Sequence, residues 1–124
     1  MFFTTIRAYL ALLRFELFLS CGDFAGLYDA VRRRRCSRVE FANGTVENIC
    51  AAVDLASVWY WKQVLCLQRS AVAACLLRDS GVPAELVIGT QQMPFRAHAW
   101  VEVHGRVVND TSYTNEMYAV LDRC

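Results

Sequence analysis

Apolar residues near the start of the chain recur at Phe3, Ile6, Leu10, Leu13 and Leu17, and these intervals of three and four trace one stripe of an amphipathic helix. Leu12, Phe15 and Leu19 widen the apolar surface, so this helix either packs on two sides or keeps a face for a partner. The Ser-Cys-Gly-Asp run at 20–23 breaks it and caps a second helix over about 24–35, with Leu27, Ala30 and Val31 inward. Turn chemistry at 41–45 precedes a third helix from Val46, with Ile49, Val53, Ala56 and Tyr60 as its buried line. No Gly or Pro separates it from the apolar helical stretch around Cys66, so the start of that fourth helix stays open. A start near Gln63 or Val64 puts Cys66 in the first turn. The far end is marked by Gly81 and Pro83. Ser70, Ala73 and Leu77 share the face of Cys66, while Cys75 points the opposite way, as a core thiol would.

After Pro83 the period becomes two. The pattern predicts a strand over 84–89, a loop over 90–96 containing Pro94, a hairpin of 97–103 with 106–110, a polar loop over 111–116, and a short helix or strand over 117–121. The fold class expected is α+β, a helical N-terminal half with the Cys66 helix packed on a small antiparallel sheet. At 124 residues, and without an internal repeat, this is one domain. Residues 1–45 form its helical N-terminal region and 46–124 its core.

Composition narrows the function classes. The net charge is +1, and the basic run Arg32–Arg35 with Arg38 has no interleaved aromatic residues, so it is expected to be a charged helix end facing water and not a nucleic-acid platform. Arg7, Arg14 and Glu16 interrupt the greasy N-terminus before the ~20 apolar residues that a membrane span needs. Without an Ala-x-Ala cleavage site it does not read as a secretory leader either. The six cysteines lack Cys-x-x-Cys spacing, and four lie in apolar helical patterns, so reduced thiols in a cytoplasm are expected, with no metal and no cofactor.

One constellation carries chemistry. Cys66 in a helix, His98 in a strand and Asp110 at the end of the next strand have the order and types of a cysteine-protease triad. The thiolate would be nucleophile, the imidazole its base, and the carboxylate would fix the base's tautomer. Singly, each has a duller explanation: a small hydrophobe, a structural histidine, a turn former. His104, in the turn, is set aside as solvated. The hairpin tests the constellation. A two-residue His104-Gly105 turn pairs Ala99 with Asp110 and puts His98 and Asp110 on opposite faces. A three-residue loop with Gly105 in a bulge pairs Glu102 with Arg106, Trp100 with Val108 and His98 with Asp110, and it is preferred because it also opposes unlike charges. Gln63 is a candidate for the oxyanion hole beside the Cys66 backbone N–H, and Trp100 a candidate shield for the His98–Asp110 pair.

The segments Cys66-Leu-Gln-Arg-Ser70, Leu76-Leu-Arg-Asp-Ser-Gly-Val-Pro-Ala-Glu-Leu-Val-Ile-Gly89 and Phe95-Arg-Ala-His-Ala-Trp-Val-Glu-Val-His-Gly-Arg-Val-Val-Asn-Asp110 closely resemble the leader peptidases of lasso peptide biosynthesis. These are similar to minimal transglutaminase-like, papain-type cysteine proteases, the microcin-processing type. The resemblance spans roughly residues 46–124 and implies Cys66 as nucleophile, His98 as general base and Asp110 as its orienter. It further implies a bacterial cytoplasmic enzyme that cuts a ribosomally made precursor peptide between leader and core. Its partners would be a separate leader-recognition protein, docked on the greasy N-terminal helices, and an ATP-dependent macrocyclase that takes the freed core. Transglutaminase or amidase chemistry with the same triad, and a non-catalytic peptide-binding module, are the rival expectations.

Overall fold

In a computed structural model of the chain, the described residues are 2–38, 40–92, 95–110 and 114–124. Helices α1 (Phe2–Ser20), α2 (Phe24–Arg33), α3 (Thr45–Trp59) and α4 (Cys66–Asp79) are followed by strands β1 (Ala84–Gln92), β2 (Phe95–Val103) and β3 (Arg106–Val107), the short helix α5 (Thr114–Met117) and strand β4 (Ala119–Arg123). The sheet is antiparallel in the order β3-β2-β1-β4, and α4 packs on β1 and β2. The architecture is the α+β expected from the pattern.

The core forms where the apolar rows of α1, α2, α3 and α4 meet one face of the sheet. Ala8, Leu12 and Phe15 of α1, Leu27 and Val31 of α2, Ile49, Val53 and Ala56 of α3, and Leu86, Ala99 and Val101 of the sheet close around α4. The stripe legible in α1 is not its buried one. Phe3, Ile6, Leu10, Leu13 and Leu17 face outward, and the widening row Leu12 and Phe15 is what packs inward. Both rows have helical spacing, so periodicity could not rank them.

Tertiary contacts, not punctuation, end α3. Tyr60 leaves the helix, and its hydroxyl donates to the Leu12 carbonyl at 3.4 Å and to Glu16 at 3.3 Å. Lys62 then pairs with the same buried Glu16 at 2.9 Å. Lysine beside it holds the Glu16 carboxyl below its ordinary range. At the other end of α4, buried Arg78 donates to the carbonyls of Ala84, Val31, Arg34 and Cys124, which ties α2, α4, the start of β1 and the residue after β4 to one guanidinium.

Several strand expectations are corrected. β1 runs to Gln92 and β2 begins at Phe95, so most of the loop expected over 90–96 is ladder, with Met93 and Pro94 outside the described residues. The closing strand is 119–123, and residues 111–113 of the expected polar loop also lie outside the described residues. The hairpin turn is the two-residue one: Val103 pairs with Arg106 and Glu102 with Val107. His104 and Gly105 both have positive φ, 51° and 78°, the signature of a type I′ turn whose twist suits the strands. The bulged three-residue loop is therefore wrong, and Glu102 does not face Arg106. Its partner is Arg123, at 2.7 Å.

Candidate active site

By strict alternation the two-residue turn would carry Asp110 away from His98. The chain avoids that by leaving the ladder early. Val108 still donates its N–H to the Val101 carbonyl, but the N–H of Val101 is taken by the side-chain Oδ1 of Asn109, at 2.8 Å, in place of a backbone carbonyl. The Asn109 amide donates to Ser70 Oγ on α4 at 3.0 Å, and that hydroxyl donates to the Ala99 carbonyl at 3.1 Å. Residues 108–110 are thus a bend pinned to both α4 and β2, beyond the reach of strand parity. Asp110 Oδ2 lies 2.6 Å from His98 Nε2. Nδ1 is the ring nitrogen that Asp110 leaves free for other chemistry.

His98 is half-buried, its ring stacked on Trp100 at 6.0 Å between centroids and covered by Tyr118 at 5.3 Å. Trp100 is fully buried and donates its indole N–H to Glu102 at 2.8 Å. Gly89, directly across the ladder from His98, makes this stack fit. A Cβ there would come within 2.6 Å of the indole ring and 2.9 Å of Tyr118 Cβ. Tyr118, Asn109 and Glu102 were not identified in the sequence. The alternation His98, Trp100, Glu102 on one strand face was a usable signal for the last of them.

Cys66 is the first residue of α4. The preceding residue, Leu65, makes no side-chain cap hydrogen bond to the first-turn N–H groups of the helix. The N-terminus of a helix favours negative charge placed close to it. Cys66, Leu67, Ile88, Ala97, His98 and Ala99 line one small apolar pocket of about 110 Å³. That pocket adjoins the part of β2 beyond β3, which covers only Glu102 and Val103. Gln63 is exposed and lines a different groove, with Asp54, Ser57, Val58, Val64 and Arg69. Among the other thiols, burial pushes Cys50 up to about 11 and raises Cys75 and Cys124 as well. All six cysteines are free.

A stretch of 56 residues, 45% of this chain, is 38% identical to the microcin J25-processing protein McjB of Escherichia coli, and it covers 27% of that protein's length. No solved structure gives a significant match. The family model described as the transglutaminase-like superfamily matches residues 9–123, nearly the whole chain, and on that match the chain belongs to the transglutaminase-like superfamily.

Proposed function

We propose that this chain is a cysteine peptidase that removes the leader from a ribosomally made lasso peptide precursor in the bacterial cytoplasm. The observation that carries the reading is Cys66 in the first turn of an uncapped helix, lining one pocket with a histidine already bonded to a carboxylate. The 38% identity to a microcin-processing protein supports the choice of substrate class.

In this reading His98 Nδ1 takes the Cys66 proton, while Asp110 at Nε2 stabilises the imidazolium. The thiolate attacks the carbonyl carbon at the leader–core junction, and the carbonyl oxygen becomes an oxyanion facing the N–H of Cys66. Collapse breaks the C–N bond. The imidazolium proton goes to the departing amine, which leaves as the core's new N-terminus, and the leader remains as a thioester on sulfur. Water then gives a proton to His98, attacks the thioester and releases the leader as a carboxylate with regeneration of the thiol. The separate leader-recognition protein would supply the precursor, docking on the outward apolar row of α1, and the macrocyclase would take the freed core.

Incubating the chain with a candidate precursor, with and without the recognition protein, tests this by mass spectrometry. A cut immediately before the core, accelerated by the recognition protein, is expected. Intact precursor in both mixtures would refute it. An acyl group transferred to an added amine, with no hydrolysed product, would instead establish the acyl-transfer reading that the superfamily also supports.

A further inference from the structure

We infer that Glu102 is a positioning residue for His98, acting through Trp100 and held in place by Arg123. This deepens the reading above and rests on it. For proton exchange with Cys66, the His98 ring must keep one plane and present Nδ1 in one direction. Asp110 fixes only the Nε2 corner. The indole of Trp100 is the surface against which the ring lies, at 27° between planes, and Tyr118 covers both rings at 5.3 and 5.9 Å.

Trp100 is therefore only as fixed as its own anchor. Its N–H donates to Glu102 Oε2 at 2.8 Å, while Oε1 of the same carboxylate accepts from Arg123 Nη1 at 2.7 Å. Glu102 is 2% exposed, and burying a carboxylate is costly unless its charge is matched. Burying one to satisfy an indole N–H would be a poor choice if an amide served equally well. An ionised carboxylate differs in being acceptor-only, so the indole has one orientation to adopt, whereas an amide can present either end. Arg123 reaches it from β4, across β1, where it pairs with Val87. The guanidinium is raised above its ordinary range by this carboxylate. The row His98, Trp100, Glu102 and its latch Arg123 thus run along the sheet face opposite to Ala99 and Val101, which pack in the core.

The test reads the Cys66 thiolate and not turnover. In the wild-type chain, Cys66 alkylation by iodoacetamide, followed site by site by mass spectrometry, should persist to about pH 6 because an imidazolium partner stabilises the thiolate. Among the described residues, the titratable groups set around His98 are Asp110, Tyr118 and Cys66 itself. Glu102→Gln should cut the rate at about pH 6 by about tenfold while the rate above pH 9 stays the same, a profile that general loosening does not produce. Trp100→Phe, which keeps a ring but removes the N–H, should do the same, and the double variant should be no worse than either. It also keeps the test decisive should Glu102→Gln fail to fold. Variants that fold and retain the wild-type profile would overturn the inference alone. A wild-type Cys66 that titrates like a free thiol would overturn the thiolate–imidazolium reading, and this inference with it.

Discussion

Asn109 does at the level of one residue what register does elsewhere in the sheet. By substituting its side-chain oxygen for a ladder carbonyl it ends β3 and turns Asp110 onto His98. Replacing Asn109 with Ala leaves the Val101 N–H and Ser70 Oγ each short of a partner, so a loss of about 1–3 kcal/mol in denaturant unfolding is expected, together with weaker processing. Gly89 is as specific in the opposite sense. Gly89→Ala forces a methyl group to within 2.6 Å of the Trp100 ring, and overpacking of this kind costs about 1–3 kcal/mol. A Gly89→Ala chain with unchanged melting and unchanged rate would mean that the stack on His98 is looser than described. Asp110→Asn keeps the shape but presents an amide to Nε2, so the fold should persist while processing falls by about a hundredfold or more.

At the scale of elements, α1 carries two apolar rows with different fates. Leu12 is fully buried, and Leu12→Ala should cost about 2–5 kcal/mol of stability. Leu10 and Leu17 are 58% and 70% exposed, and changing both to Glu should move stability by no more than about 0.5 kcal/mol each while abolishing any stimulation by the recognition protein. Loss of fold in the double variant, or stimulation that survives it, would remove α1 as the docking face. Which row was buried was not legible in the sequence, because both have the same period and only tertiary packing distinguishes them. The break between α3 and α4 was hidden for a related reason: Tyr60 and Lys62 are held by Glu16, more than forty positions earlier. The order helix, strand, strand and the residues Cys66, His98 and Asp110 were readable from local pattern and resemblance. The hairpin register is not legible because strict alternation after a two-residue turn separates His98 from Asp110, and a departure from the ladder by one asparagine leaves no periodic trace.

For the molecule as a whole, burial of thiols sets the alkaline limit. Cys50, Cys75 and Cys124 all have raised pKa values, Cys50 to about 11. An unfolded cysteine ionises near ~8.5, so above that pH deprotonation favours the unfolded chain. Stability is full below the unfolded value and is lost as pH climbs toward about 11. Glu16 works in the other direction. With its carboxyl held low beside Lys62, it stabilises the fold at neutral pH, and that contribution disappears as pH falls through the folded value. Thermal melts across pH should therefore fall off on both flanks, and replacing Cys50 with Ser or Ala should flatten the alkaline one. A melting temperature constant to pH 11 would contradict the burial described for these thiols.

Burial also separates Cys66, which is partly exposed, from Cys75, nine residues further along the same helix and 3% exposed. The most direct measurement is reconstituted cleavage of a precursor peptide by Cys66→Ala and Cys75→Ala chains, each shown to be folded. The first should release no leader, while the second should cut at close to the wild-type rate. Leader release by a folded Cys66→Ala chain would contradict Cys66 as the nucleophile.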